Sequence, residues 1–192
     1  MIQSKRDLLL YLERDRKALC IKRKRPKLFA DEVWRFEIVL RKLEYIENCR
    51  PYYGIINSFV ALYYRYKYHS LSLKLGLSIP INTFGPGLAI VHYGTIVVAE
   101  GAVIGENCRI HEGVTIGATN GSSKAAKIGN NVFIGSGAKI IGDIVISDNV
   151  AIAANAVVVK DIIAAPSGCT VGGVPARMIS ENNSSNNLFS LT

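Results

Sequence analysis

The sequence has little of what marks secreted, membrane-spanning or zinc-binding proteins. Its four cysteines lack the close spacing of a zinc site and do not suggest disulfides formed in an oxidising compartment: Cys20, Cys49, Cys108 and Cys169. The N-terminus carries charges throughout, unlike a secretory signal. The longest largely apolar run before residue 76, at 55–64, is much shorter than the roughly 20 residues that span a bilayer. We therefore predict a cytoplasmic protein, with peripheral association at the inner membrane as an alternative.

Basic residues outnumber acidic ones only in the first part of the chain. Residues 1–76 contain 17 lysines and arginines against 8 acidic residues, whereas residues 77–192 contain 6 against 7. The basic cluster at 22–27 could bind phosphates of nucleic acid, lipid or a sugar-pyrophosphate carrier, but a solvated connector between helices is the simpler interpretation. No nucleic-acid motif accompanies the charge, so we predict no nucleic-acid partner.

What the sequence does contain is a six-residue repeat. A large apolar residue recurs mostly at every sixth position: Phe84, Ile90, Ile96, Ile104, Ile110, Ile116, Ile128, Ile134, Ile140, Ile146, Ile152 and Val158. Two residues before each, from Ala102 onward, stands a smaller apolar residue, except at Ile144. This pattern is typical of a parallel β-helix, in which three hexapeptides form one coil of about 18 residues.

The segment before the repeat is predicted to be helical. Apolar spacing predicts helices over 4–20 and 31–48, the second with Asp31 as its N-cap, and the aromatic-rich segment 53–75 predicts a third. We therefore predict a mainly β fold in three parts: a helical domain over 1–76, a β-helix over 77–180 and a mobile polar tail over 181–192.

Two of the three histidines fall at similar places in successive coils. His92 follows Ile90 by two residues and His111 follows Ile110 by one, so stacking should bring both side chains to one corner. We expect that corner to lie close to the eight-residue step before Ile104 and to the polar insertion 118–127. An imidazole with a pKa near neutrality in such a cleft is a candidate general base.

Four runs carry a resemblance to a known family: GPGLAIVHYGTIVVAEGAVIGENCRI, GVTIGATNG, KIGNNVFIGSGAKIIGDI and GGVPARMI. In that order, over about residues 76–180, they resemble the serine acetyltransferase branch of the hexapeptide acyltransferases. The resemblance implies a left-handed β-helix, a homotrimer or a dimer of trimers, and acetyl-CoA as the acetyl donor, with no metal.

The resemblance also implies roles for individual residues. The family's catalytic histidine falls at His92, which would deprotonate an acceptor hydroxyl. Further catalytic candidates are Glu100 and His111, and either of these, Asn82 or Glu112 could orient His92. The residues expected to hold CoA are Gly117, Ser136, Ala154, Lys160 and Arg177. The residues expected to contact the acceptor are Asn82, Tyr93, Glu112 and Lys124.

Departures from the family concern the acceptor. The aspartate that partners the histidine falls at Leu77, the residue before the histidine is Val91, and the Arg-His pair that holds the serine carboxylate falls near Lys124 and Ala125. The stretch SIPINTFGPGLAIVHYGTIVV resembles relatives encoded with surface-polysaccharide genes. We therefore predict an O-acetyltransferase whose acceptor is a sugar hydroxyl of a surface polysaccharide or its precursor, including a glycan presented on a lipid carrier or at a membrane surface.

Three alternatives stay open. The first is a serine O-acetyltransferase with an altered site. The second is a metalloenzyme of the γ-carbonic anhydrase type, which resembles this architecture and uses three histidine ligands across a subunit interface; His92 and His111 lack that spacing, and His69 lies outside the repeat. The third is a non-catalytic scaffold.

Overall fold

The computed structural model describes residues 1–27, 29–49 and 55–188. Three α-helices come first: α1 (Lys5–Ala18), α2 (Glu32–Cys49) and α3 (Ile55–Leu75). The helices over 4–20 and 31–48 were thus predicted to within two residues, and positions 53–54 of the third lie outside the described residues. In the described part of the chain, no helix is long and apolar enough to cross a membrane.

Asp31 lies at the predicted N-cap position, where its carbonyl accepts from the Arg35 amide at 2.9 Å, but its side chain binds the preceding connector. Its carboxylate accepts a hydrogen bond from the backbone amide of Lys27 at 2.7 Å and forms an ion pair with Arg23. Its backbone is left-handed, with a φ of 65°. The Asp31 side chain therefore stabilises the turn of the basic connector, and α2 begins at the next residue.

Short strands then wind into three sheets, one on each face of a prism. Sheet 1 contains β1 (Leu77–Ser78), β3 (Ile96–Val98), β6 (Thr115–Gly117), β9 (Lys139–Ile141) and β12 (Val157–Val158). Sheet 2 contains β4 (Val103–Ile104), β7 (Lys127–Ile128) and β10 (Val145–Ile146). Sheet 3 contains β2 (Ala89–Ile90), β5 (Arg109–Ile110), β8 (Phe133–Ile134), β11 (Ala151–Ile152), β13 (Thr170–Gly172) and the antiparallel β14 (Arg177–Ser180).

The pairing of these strands confirms the predicted parallel β-helix. The chain visits sheets 1, 2 and 3 in rotation, and each strand pairs in parallel with its counterpart one coil away, as Ile110 does with Ile134 and Ile116 with Ile140. Every large apolar residue of the repeat is buried, and so is every smaller residue two positions before it. The inward columns therefore form one continuous core.

Cys108 belongs to that core. Its side chain occupies one of the small inward positions and is fully buried, and burial raises the pKa of the thiol to about 12. A thiol with so high a pKa is not a nucleophile at neutral pH. The residue is structural, as the repeat predicted.

Charged side chains of α1 and α2 cover the first coil. Its strands have no preceding coil with which to pair, so the backbone amides on their open side need other partners. The carboxylates that accept from them, at 2.8 to 2.9 Å, are Asp15 (from Gly87 and Leu88), Glu37 (from Ile90) and Glu44 (from Asn82). The helical segment is thus an N-terminal cap on the solenoid.

The C-terminal segment returns to the side of the ladder. After β14, residues Ser184–Asn187 form a 3₁₀ turn, and the buried Ser184 hydroxyl donates to the carbonyl of Asn131. Residues 189–192 of the tail lie outside the described residues. The mobility that we expect over 181–192 stays a prediction.

Candidate active site

Apart from Arg177, which begins β14, the predicted site residues fall on or beside two of the three edges of the prism. We call the edge where sheet 3 passes into sheet 1 the histidine edge, and the edge where sheet 1 passes into sheet 2 the loop edge. The histidine edge carries His92, Tyr93, His111, Glu112, Ser136 and Ala154. The loop edge carries Asn82, Glu100, Lys124 and Lys160, with Gly117 at the end of its strand in sheet 1.

His92 and His111 lie together on the histidine edge. Because Ile90 and Ile110 pair in register, the turns that follow them stack, and the two imidazole rings lie 5.9 Å apart between centroids at an angle of 66°. The His111 ring also contacts Phe133 of the next coil, at 5.2 Å. His92 is exposed to solvent, whereas His111 is largely covered. The more accessible imidazole is therefore the one at the predicted catalytic position.

Glu112 provides the carboxylate of this cluster. Its Oε2 lies 3.9 Å from Nδ1 of His111. Hydrogen bonds from its own backbone amide and from the Ser136 side chain hold the pKa of Glu112 below its usual value. Burial, followed by the positive charge of Arg109, lowers the pKa of His111. At neutral pH the site therefore contains an ionised carboxylate beside an uncharged His111.

Two polar atoms of the cluster are left for a ligand. His111 Nε2 and Glu112 Oε2 are shielded from solvent, and neither has a hydrogen-bond partner among the residues that the structure describes. Donor atoms of His92, His111 and Glu112 all lie within 4.8 Å of one another, close enough to approach one small group or ion. Gly94 lets its turn approach Glu112 closely, because a Cβ there would stand 3.0 Å from Cβ of Glu112.

The long step and the polar insertion do not lie beside the histidines within one chain, contrary to our expectation. Both occur where sheet 1 passes into sheet 2, so a whole face of the prism separates them from the histidine edge. The six-residue period showed which residues stack, but the relation between corners depends on the order in which the three faces are visited. Glu100 and Lys124 are exposed on the loop edge, and the Lys124 ammonium lies 3.9 Å from the Asp143 carboxylate.

Asn82 is held by the helical cap. Its side-chain amide exchanges hydrogen bonds with that of Asn48, at 2.8 and 3.1 Å. Within one chain the Asn82 side chain therefore binds the helical cap and does not orient His92, although we predicted that it could. Leu77 and Ala125, which replace charged residues of the family, are buried in the apolar core.

The residues expected to hold CoA divide between the edges. Ser136 and Ala154 continue the histidine edge over the next two coils, towards the exposed Arg177 at the start of β14. The Arg177 guanidinium donates to the carbonyl of Ala176 at 3.0 Å. Gly117 and the exposed Lys160 lie across sheet 1, on the side of the loop edge.

Sequence reasoning missed Lys139. From sheet 1 its ammonium donates to the carbonyl of Gly113 at 2.5 Å and to the Thr115 hydroxyl at 3.1 Å, which fixes the turn that follows Glu112. The available signal was a lysine at an outward strand position one coil after Thr115. That signal is weak, because outward lysines are common on solenoids.

Comparisons with known proteins agree with this architecture. A family model described as "Bacterial transferase hexapeptide (six repeats)" matches residues 125–160. A serine acetyltransferase from Synechococcus elongatus is 41% identical over 114 residues, which cover 58% of this chain and 46% of that protein. Serine acetyltransferase 1, chloroplastic, from Arabidopsis thaliana is 45% identical over 102 residues, covering 52% and 32%.

Solved structures extend the similarity to the helices. A serine acetyltransferase from Brucella abortus strain S19, in complex with coenzyme A, is 30% identical with a TM-score of 0.67, over 93% of this chain and 70% of that one. The serine acetyltransferase of Neisseria gonorrhoeae is 28% identical with a TM-score of 0.69, over 92% and 68%. The β-helix is left-handed, as in these neighbours. The chain spans less than half the length of the curated relatives that it matches.

Proposed function

Because this chain belongs to the hexapeptide-repeat transferases, we propose that it transfers an acetyl group from acetyl-CoA to a hydroxyl group, with His92 as the general base. The observation that carries the proposal is the exposed His92 on an edge that already groups His111 and Glu112. The similarity to a serine acetyltransferase that binds coenzyme A supports the choice of donor.

The chemistry is a direct acyl transfer. His92 takes the proton of the acceptor hydroxyl as its oxygen attacks the thioester carbonyl carbon. A new C–O bond forms, the C–S bond breaks, and the thiolate of CoA leaves and regains a proton from the imidazolium. His111 and Glu112, each with an unsatisfied polar atom, would hold the acceptor beside His92.

L-Serine is the acceptor that the relatives favour. The reported relatives are named serine acetyltransferases, so the comparisons support our alternative better than the glycan acceptor that we preferred from the sequence. One observation keeps a sugar hydroxyl as the second candidate. The resemblance places the aspartate that partners the histidine at Leu77 and part of the pair that holds the serine carboxylate at Ala125, and both of these residues are apolar and buried here.

We further propose that the site is completed in a homotrimer. One copy presents the histidine edge and the loop edge on opposite sides of sheet 1. A threefold arrangement joins unlike surfaces of neighbouring copies, so the loop edge of one copy can face the histidine edge of the next. Lys124 and Lys160 would then approach the acceptor and CoA from the neighbouring copy. Assembly into a dimer of trimers and a cytoplasmic or membrane-peripheral location stay predictions.

The test is thiol release from acetyl-CoA, measured separately with L-serine and with a panel of sugars and oligosaccharides. We expect turnover by the wild type and a loss of about 100-fold or more in His92→Ala, which is the range for removing a general base. His69→Ala is the matched control, because His69 is exposed on α3, outside the ladder, and should leave the rate unchanged.

The acceptor panel decides between the two candidates. Turnover with serine but with no sugar would establish serine as the acceptor. Turnover with a sugar or oligosaccharide but not with serine would establish a glycan acceptor. Equal rates for wild type and His92→Ala would overturn the proposed base. No thiol release with any acceptor would favour the scaffold alternative.

A further inference from the structure

The His92, His111 and Glu112 cluster has the composition of a transition-metal site. Two imidazoles and one carboxylate form a donor set that proteins use for catalytic zinc, with the fourth position left open. Here the three come from two stacked turns of one chain, with donor atoms within 4.8 Å of one another. These donors differ from a γ-carbonic anhydrase set, because the third ligand is a carboxylate from the same chain.

The cluster also contains polar atoms that lack a partner. His111 Nε2 and Glu112 Oε2 are removed from water, and the described residues offer neither a hydrogen bond. A shielded polar atom without a partner costs free energy, and a ligand that binds it recovers that cost. These orphaned atoms are an observation independent of the spacing of the three residues, and they point to a bound group.

Small side-chain rotations would bring the donors to coordinating distance. Zinc binds nitrogen and oxygen at about 2.0–2.2 Å in a tetrahedron, so its ligand atoms lie about 3.3 Å apart. His92 is exposed and can rotate towards the other two residues, while Phe133 holds the His111 ring in place. The nearby Arg109 charge acts against a cation, and the Glu112 carboxylate offsets it.

We propose that His92, His111 and Glu112 bind one zinc-class divalent ion per chain, and that this ion inhibits the protein. The binding step needs only the three side chains. The inhibition rests on the proposed function, because an ion coordinated to His92 would occupy the lone pair that accepts the proton from the acceptor hydroxyl. The site is therefore a point where metal and acceptor compete.

Binding is tested by titrating ZnCl₂ into the full-length protein after metal removal, by calorimetry or by competition with a chromogenic chelator. We expect one saturable site per chain, weakened about 10-fold or more in His111→Ala and in Glu112→Gln. Glu112→Gln keeps the size of the side chain and removes the charge, so it also guards against misfolding. Circular dichroism melting curves should match those of the wild type.

His69→Ala and Cys20→Ser are the matched controls, since both residues are exposed and lie outside the ladder. Both variants should bind zinc as the wild type does. The metal site is refuted by the absence of saturable binding. It is equally refuted if a control variant abolishes binding while Glu112→Gln retains it.

A second measurement separates this inference from the proposed function. Acetyl transfer by the wild type should fall as zinc saturates the site and return when a chelator is added. A zinc-independent rate that still requires His92 would leave the proposed function in place and overturn the inhibitory site. A rate that rises only when zinc binds would overturn both the inhibition and the base role of His92, and would indicate zinc-dependent acetyl transfer instead.

Discussion

Glu37 is a carboxylate with no contact to water. It lies on the buried face of α2, and one oxygen accepts the backbone amide of Ile90 at 2.9 Å, two residues before His92. The other oxygen has no hydrogen-bond partner within the described ranges. Burial, followed by the nearby Asp15 charge, raises the pKa of Glu37 well above its ordinary 4.5. The folded protein therefore favours the protonated, neutral form.

This shift makes stability depend on pH. Where the native state binds a proton that the unfolded state has released, the free energy of unfolding falls as pH rises. The stabilisation from a neutral Glu37 is complete below about pH 4.5 and is lost as pH rises towards its folded pKa. In Glu37→Gln the amide is always neutral and still accepts from Ile90. We therefore expect the unfolding free energy of the variant, relative to wild type, to increase between pH 5 and pH 8.

Urea unfolding at several pH values measures this difference. Glu181→Gln is the control, because its carboxylate is exposed and its substitution should give a curve parallel to that of the wild type. Parallel curves for Glu37→Gln as well would contradict the raised pKa of Glu37.

At the scale of secondary elements, Arg41 joins α1, α2 and the first coil. Its fully buried guanidinium pairs with Asp15 at 2.8 Å and with Glu44 at 3.0 Å. It also donates to the carbonyls of Phe84 and Gly85, at 2.9 and 2.7 Å. The charged groups of the cap thus form ion pairs with one another and hydrogen bonds to the backbone groups of the first coil.

Arg41→Met should therefore destabilise the fold strongly. The change removes the guanidinium from two buried carboxylates and two carbonyls, and breaking a buried ion pair in this way costs about 3–5 kcal/mol. Chemical denaturation measures the loss. Arg65→Met is the matched control, because the exposed Arg65 pairs with Glu47 at 2.8 Å and such surface pairs contribute about 1 kcal/mol or less. Equal losses in the two variants would show that the cap contributes no more than a surface contact.

Glycines at the corner after sheet 2 let successive coils approach. Gly85, Gly105 and Gly129 stack there, each following the buried large apolar residue of its coil. A Cβ on Gly105 would stand 2.7 Å from the carbonyl oxygen of Gly129. The close approach of the next coil thus explains most of the glycines that directly follow a large apolar residue of the repeat.

Gly105→Ala should lower the free energy of unfolding by about 1–3 kcal/mol, the usual cost of overpacking. Thermal or urea unfolding gives the value. Gly117→Ala is the comparison variant, because a Cβ there meets the flexible end of Ile141 at 3.2 Å, not the backbone. If Gly105→Ala unfolds like the wild type, the coils have more freedom to separate than this contact implies.

At the scale of the whole molecule, a single copy leaves apolar strand residues uncovered. Val97 of sheet 1 and Val103 and Val145 of sheet 2 point outward and are 39%, 58% and 43% exposed. These two sheets flank the loop edge. Exposed apolar side chains on neighbouring faces favour burial against another copy of the ladder.

Light scattering coupled to size exclusion tests the proposed trimer. We expect a mass of about 63 kDa, three times the 20.9 kDa of the chain. Val103→Glu, which places a charge on this surface, should shift the population towards monomer and reduce acetyl transfer together with it. A wild-type monomer with full activity would contradict a site shared between copies.

The sequence by itself determined the ladder and the pairing of the histidines. An inward aliphatic every six residues can be buried only if the coils stack, and stacking brings His92 and His111 to one corner. Residue type also indicated the apolar character of Leu77 and Ala125. These inferences follow from the six-residue period and the residue types alone, because both can be read along the chain without knowing which distant residues are in contact.

Only the tertiary structure decided how the edges and the cap are arranged. The separation of the insertion from the histidines follows from the order of the three faces. The backbone groups that Asp15, Glu37 and Arg41 bind belong to the first coil, which lies 73, 53 and 43 residues away from them along the chain. The hydrogen bonds that stabilise these buried charges depend on three-dimensional contact between the helices and the first coil.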